Sequence, residues 1–278
     1  MSAIELSGAA VAITGGARGI GYATAKAFAA KGARVFIGDL DADLAKTAAH
    51  ELGCSGTGLD VRSRESFAEF LASVDPPLAV LVNNAGIMPA GRFVDEPDAV
   101  TDAIVGVNLN GVLRGTKLAL PGMLERGSGH IVNVASYLGK VPAAGLATYC
   151  ATKHAVVGFS ESLRDELAGT GVTVTALLPS AVRTDLVSGV QLGGLLPTVD
   201  PEDIADAIVE TCRTRSAVVA VPTWMRSYEA AAALAPDRFV GAVRGRLTRD
   251  RVLRKLNTSA RAEYDERIRR DAAGADAT

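Results

Sequence analysis

Cysteine is scarce in this chain of 278 residues; Cys54, Cys150 and Cys212 are the full set. They are odd in number and scattered, with no C-x-x-C pair, which excludes a disulfide framework and points to reduced thiols in the cytoplasm. Histidine is equally thin. His50, His130 and His154 do not cluster, so they read as surface or structural residues and no metal site emerges. No run of about 18 uncharged apolar residues occurs, so no transmembrane helix is expected. The opening Met1-Ser-Ala-Ile-Glu carries no basic stretch leading into an apolar one, so no secretory signal is expected there. An excess of one charge is missing too. The formal net charge is −2, which makes no case for nucleic acid as a partner.

Hydrophobic residues are abundant, at 48%. The length suits one large α/β domain or two small ones, with a core that needs no disulfide or metal to hold it. The apolar run over residues 9–13 reads as a strand, followed by Thr14-Gly15-Gly16-Ala17-Arg18-Gly19-Ile20-Gly21 and an alanine-rich helix over 22–31. Strand, glycine turn and helix together make a phosphate site, because the helix start offers free N–H groups and the glycines let backbone approach. The spacing is G-x-x-x-G-x-G rather than the commoner G-x-G-x-x-G, and a turn without a ligand is the alternative. The next strand, 34–38, ends at Asp39, about 20 residues after the turn, where a carboxylate can accept both hydroxyls of an adenosine ribose. That favours NAD over NADP, although Arg18 could meet a 2′-phosphate, and Asp39 could also cap the helix beginning near Asp41.

Helical and strand patterns then alternate. Helices are expected over 42–52 and 64–74, with strands over 56–59 and 78–82. The latter strand ends in Asn83-Asn84-Ala85-Gly86, which suits either a ligand crevice or a plain turn. Residues 97–126 read as helix interrupted at Val107-Asn108-Leu109-Asn110-Gly111, since asparagine is unfavourable within a helix. Residues 131–135 form a buried strand that delivers Ser136. A helix starting near Thr148 places Tyr149 and Lys153 one turn apart on one face. A lysine ammonium about 4 Å from the phenol, at an effective dielectric of about 20, would favour the phenolate by about 4 kcal/mol. That is about three pKa units, which would bring Tyr149 into the range of a general acid/base. A strand at 172–178, a helix at 201–213 and a strand at 217–221 complete the series. Repeated βαβ units with continuous apolar strands imply a Rossmann-type, doubly wound parallel sheet of about seven strands with helices on both faces. Thr14, Asp39, Asp60, Asn83, Ser136 and Pro179 all fall at carboxyl ends of strands, where such sheets bind ligands.

Taken together, Thr14 to Gly21, Asn83 to Gly86, Asn108, Ser136, Tyr149 and Lys153 make the chain resemble a short-chain dehydrogenase/reductase over roughly residues 7–222. The resemblance implies an alcohol dehydrogenase or ketoreductase with a nicotinamide cofactor, NAD favoured over NADP, and a homo-oligomer, dimer or tetramer. It implies that Tyr149 passes the proton, Ser136 steadies the substrate oxygen, Lys153 holds the nicotinamide ribose and shifts the tyrosine's pKa, and Asn108 holds a relay water. Gly15, Arg18, Gly19, Ile20, Gly21, Asp39, Asp60, Val61, Asn83, Ala85, Gly86, Pro179, Val182 and Thr184 would line the cofactor. The family usually has Pro-Gly after the sixth strand, where this chain has Pro179-Ser180. A non-enzymatic nucleotide sensor is the contrary reading, against which the intact Asn108, Ser136, Tyr149 and Lys153 stand.

The substrate loop is expected between Thr184 and Asp200. Leu186 and Leu192 on it, with Met88, Leu138, Val141 and Leu146, would face a hydrophobic secondary alcohol or ketone, steroid-, terpenoid- or lipid-like. Residues 1–222 are expected to form the catalytic domain and 223–278 a helical, basic extension packed on or beside it. Residues 237–270 hold 11 Lys/Arg and 5 Asp/Glu, a pattern shared by solvated helices, oligomer contacts and peripheral membrane surfaces.

Overall fold

The structure, a computed structural model, describes residues 3–75, 77–190, 196–227, 251–254 and 256–273. The strands are β1 (Ala10–Thr14), β2 (Arg34–Asp39), β3 (Ser55–Gly58), β4 (Leu78–Asn83), β5 (Gly129–Val134), β6 (Val172–Pro179), β7 (Ala181–Val182), β8 (Thr198–Val199) and β9 (Val218–Val221). Seven of them form one parallel sheet in the order β3-β2-β1-β4-β5-β6-β9. The order reverses between β1 and β4, so the crevice of this sheet opens at their carboxyl ends. The short β7 and β8 pair separately, Ala181 opposite Thr198. This pair, which the sequence pattern does not announce, pins the two ends of the segment following β6.

Alternation along the strands builds two apolar layers, because successive side chains point to opposite faces. Val11 and Ile13 of β1 face α1 (Gly19–Ala30), α2 (Ala42–Leu52) and α7 (Pro201–Thr214), packing with Phe28, Ala45, Ile204 and Ile208. Ala10 and Ala12 face the other way, towards α3 (Arg64–Ala72), α5 (Gly111–Glu125) and α6 (Ala147–Glu166), packing with Phe67, Phe70, Met123 and Leu163. Each fully buried valine or isoleucine contributes about 1.5–3 kcal/mol, so burial on both faces outweighs the weak strand propensity of the alanines.

Two local features set up the crevice. Between α4 (Asp98–Val105) and α5, Gly106–Asn110 winds as a π-helix, at the interruption the sequence suggests. The first helix starts at Gly19, three residues earlier than its alanine-rich run. Its N-cap, Arg18, is extended and makes no side-chain cap, so N–H groups of the first turn stay open to a ligand. Beyond β9 the described residues form a short helix, Arg251–Arg254, and a longer one, the cap helix Thr258–Ala273, which lies across the carboxyl edge of the sheet. Among the described residues, no helix is long and apolar enough to cross a membrane.

His130 on β5 ties the layers together and has a consequence for stability. Its ring is fully buried, with Nδ1 2.8 Å from Thr173 Oγ1 on β6 and Nε2 2.9 Å from Thr211 Oγ1 on α7. Burial, helped by the nearby Arg215 charge, holds its pKa down to about 3. An unfolded histidine titrates near 6.5. Between those two values the unfolded chain takes up a proton that the folded chain refuses, so stability falls as pH falls, by about 1.4 kcal/mol per unit. Urea unfolding at pH 7.5 and 5.5 should show this loss in the unaltered chain and a smaller loss in His130→Asn. Equal losses would remove His130 as the cause.

Candidate active site

The sheet's carboxyl edge and the cap helix enclose a cleft of about 660 Å³. Its floor is built where β1 meets β4. Thr14 Oγ1 accepts from the N–H groups of Asn84 and Ala85, both at 3.0 Å. Asn84 Nδ2 donates back to the carbonyls of Thr14 at 2.9 Å and Gly15 at 3.0 Å. The two strand ends are so close that glycine is obligatory in the turn. A Cβ on Gly15, which has φ +63°, would sit 2.9 Å from Ala85 Cα, and one on Gly21 would sit 2.0 Å from Gly15 O. A bare backbone cradle leading into an uncapped helix start fits the phosphates of a dinucleotide.

Most of the sequence-derived cofactor residues line this cleft: Gly15, Arg18, Gly19, Ile20, Asp39, Asp60, Val61, Ala85, Gly86, Pro179, Val182 and Thr184. Asp39 sits at its edge, accepting from Ala17 N at 3.2 Å and Asp41 N at 3.3 Å. The helix-cap role considered for Asp39 falls instead to Asp41, whose carboxylate accepts from Leu44 N at 3.0 Å and lies 3.8 Å from Arg18. Gly21 shapes the cradle from beneath without lining the cleft. Asn83 is buried below the floor, its amide donating to Asn133 Oδ1 at 2.9 Å and Thr116 Oγ1 at 3.3 Å. Ser180, where glycine is usual, donates to Pro197 O at 2.7 Å. It thus helps close the loop joined by β7 and β8.

At one end of the cleft stand Ser136, Tyr149 and Lys153. Ser136 begins a short 3-10 turn, its Oγ accepting from Leu138 N at 3.1 Å. Lys153 reaches up from α6 to donate to Val134 O at 2.9 Å, and its ammonium lies 5.6 Å from the centre of the Tyr149 ring. The expected downward shift of the phenol is not what this geometry produces. Burial pushes the Tyr149 pKa up, with a hydrogen bond to Ser136 acting the other way. The same burial lowers Lys153 to about 8. Loss of water disfavours both charged forms, and that effect exceeds the pairwise attraction on which the expectation rested.

Asn108 is fully buried and does not face the cleft. Its Oδ1 accepts from Ile87 N and its Nδ2 donates to Ile87 O, both at 2.8 Å. The side chain therefore clamps the segment after β4. Met88, Leu138 and Leu186 line the cleft as expected, whereas Val141 and Leu146 sit in the packed cluster behind its wall. Leu192 lies outside the described residues.

The sequence reading missed the cap helix as part of the site. Tyr264, Arg267, Ile268 and Arg270 all line the cleft. Tyr264 Oη accepts from Met88 N at 2.8 Å. Arg261 is fully buried and donates to the carbonyls of Met88 at 2.6 Å, Ser188 at 2.9 Å and Leu186 at 3.2 Å, with Asp265 3.3 Å away. It therefore joins the helix to both walls of the cleft where Met88 and Leu186 line it. At the far end Arg62 donates to Asp271 O at 3.1 Å. The buried residues Arg261, Tyr264, Ile268 and Ala272 recur at helical spacing. That period is visible in the sequence, but it does not say where the helix docks. Within the basic stretch 237–270, Val252 is buried in the same apolar cluster as Leu146 and Tyr149, and 239, 240, 243 and 247 lie outside the described residues.

A family model described as short chain dehydrogenase matches residues 9–192. The chain is 38% identical over 204 residues to the probable oxidoreductase EphD of Mycobacterium tuberculosis, covering 70% of this chain and 34% of that protein. It thus spans about a third of the length of that relative. It is 37% identical over 194 residues to the 2,5-dichloro-2,5-cyclohexadiene-1,4-diol dehydrogenase LinX of Sphingobium indicum, covering 67% of this chain and 78% of that one. Among solved structures, a 3-oxoacyl-(acyl-carrier protein) reductase with bound NAD from Brucella melitensis is similar with a TM-score of 0.70 at 29% identity, covering 78% of this chain and 90% of that chain.

Proposed function

Because the chain belongs to the short-chain dehydrogenase family, we propose that it is an NAD(H)-dependent oxidoreductase interconverting a hydrophobic secondary alcohol and its ketone, with Tyr149 as general acid/base. The observation that carries this reading is the buried Ser136, Tyr149 and Lys153 set at one end of a cleft whose floor is a glycine cradle. A bound nicotinamide dinucleotide supplies or accepts the hydride. The protein's part is the proton. In the ketone-reducing direction Tyr149 gives its phenolic proton to the substrate oxygen, which Ser136 holds by a hydrogen bond. Lys153 then faces a phenolate, so its positive charge stabilises the form that burial alone disfavours. Met88, Leu138 and Leu186 offer the organic part of the substrate an apolar surface and exclude water from the proton transfer.

The preference for NAD rests on Asp39. A carboxylate at the ribose position accepts two hydroxyl hydrogen bonds and repels a 2′-phosphate. Arg18 lines the same end of the cleft and favours NADP, which keeps an NADPH-dependent ketoreductase as the second reading. The nearby Asp41 draws part of its charge, weakly, since both side chains are well exposed.

Three outcomes are expected. Tyr149→Phe should still bind dinucleotide while hydride transfer falls at least about 100-fold, the scale for losing a general acid/base. Near-normal turnover would take Tyr149 out of the chemistry. Second, ketone reduction should be level up to a pH of about 8 and decline above it, because Lys153 there loses the charge that stabilises the phenolate. A rate rising steadily through that range would contradict the role given to Lys153. Third, steady-state kinetics should show higher kcat/KM with NAD than with NADP, and Asp39→Ala should narrow the gap chiefly by weakening NAD. An unaltered chain that prefers NADP would show that Arg18 dominates the ribose end.

A further inference from the structure

We propose that Arg267 and Arg270 of the cap helix form a second phosphate site in the cleft, gripping the pyrophosphate of the dinucleotide from the side opposite the glycine cradle. The inference rests on the dinucleotide reading above and adds residues that the strand-turn-helix motif does not contain.

The first observation is one of charge. The other arginines along the cleft each have a carboxylate partner: Arg18 with Asp41, Arg62 with Asp60 and Arg183 with Asp200. Arg267 and Arg270 reach none within ion-pair distance among the described residues. The acids nearest in sequence serve other arginines. Asp265 pairs with Arg261 and Glu266 with Arg269, while Asp271, which lines the same cleft, acts with its charge on Arg62. Arg267 stacks on the Tyr264 ring, 5.4 Å from its centre. That contact orients a guanidinium but leaves its charge intact. Two unneutralised cations on the wall of a cleft favour an anion.

The second observation is one of place. Tyr264 is held at Met88 and Asp271 at Arg62. Asp271 lies seven positions after Tyr264 on the helix, a span of about 10 Å. Met88 belongs to the substrate end, with Tyr149 and Leu186, and Arg62 follows Asp60 at the carboxyl end of β3. Arg267 and Arg270 therefore stand between the two ends of the cleft, where the middle of a dinucleotide carries its phosphates. The substrate end itself is walled by apolar side chains, which fits a neutral substrate better than an anionic one. The buried Arg261 clasp fixes the helix in this position, so the two guanidinium groups are placed before any ligand arrives.

The test is calorimetric titration of the full chain with NADH, ADP-ribose and adenosine, without substrate. Arg267→Ala and Arg270→Ala should each weaken NADH and ADP-ribose about tenfold, the low end for a charge-assisted contact at a partly exposed site. Adenosine, which has no phosphate, should bind unchanged. Added salt should weaken NADH less in the double variant than in the unaltered chain. Arg269→Ala, on the same helix but paired outward with Glu266, should match the unaltered chain. Alanine favours helix at least as well as arginine, so the substitutions do not unwind the cap. Unchanged NADH binding in the double variant would overturn the inference, as would an equal loss for adenosine, which would mean that the helix acts by shape alone. In steady-state turnover of the same variants, a loss confined to the KM of the alcohol or ketone would assign the arginines to the substrate and likewise overturn it. Failure of the unaltered chain to bind NADH or ADP-ribose would instead overturn the dinucleotide reading, and this inference with it.

Discussion

Four hydrogen bonds between Thr14-Gly15 and Asn84-Ala85 hold the carboxyl ends of β1 and β4 together, and the rest of the site hangs from that junction. It brings the backbones too close for a side chain at Gly15, which is why the turn into the first helix is bare. The segment after β4 then extends the same frame residue by residue. Asn83 ties it down to β5, Asn108 clamps Ile87 on both its N–H and its carbonyl, and Met88 meets the cap helix through Tyr264 and Arg261. A short stretch of chain thus links the glycine cradle, the π-helical turn and the cover.

The cover is held in an unusual way for a surface helix. Its sequence is too polar for apolar burial to fix it, and its central anchor is a fully buried arginine. A buried, unpaired guanidinium would cost several kcal/mol. Here three carbonyl oxygens and Asp265 satisfy it, and those carbonyls belong to Met88, Leu186 and Ser188 on the two walls of the cleft. The helix is therefore specified by directional bonds. Such bonds define one docking position sharply, because displacing the helix would leave the charge stranded.

Burial also sets the acid–base behaviour. A pairwise view of Tyr149 and Lys153 makes the tyrosine more acidic, yet removing water from both makes the phenol less acidic and the ammonium more so. At neutral pH the two groups consequently rest as a neutral phenol beside a charged amine. That is the form suited to giving a proton, and the neighbouring charge becomes most valuable once the proton has left.

Much of this was legible in the residues. Continuous apolar runs located the seven strands of the sheet, the glycine spacing located the cradle, and Asn108 within a helical pattern marked the π-helical turn. These are local signals, set by neighbours a few positions away, so a linear reading recovers them. Where local patterns ended, so did the reading. The side-chain partners of Asn83 and Asn108 lie 50 and 21 residues away, so no local pattern names the clamps they form. The β7–β8 pair is too short to show a pattern, and the direction of the Tyr149 shift depends on how much water the assembled cleft excludes. The sequence by itself determined the sheet, the cradle and the Ser136, Tyr149 and Lys153 set, because each is written in short-range spacing. Only the tertiary structure decided that Thr258–Ala273 covers the cleft, since Arg261 finds its carbonyl partners 73 to 173 residues away and nothing near it in the chain names them.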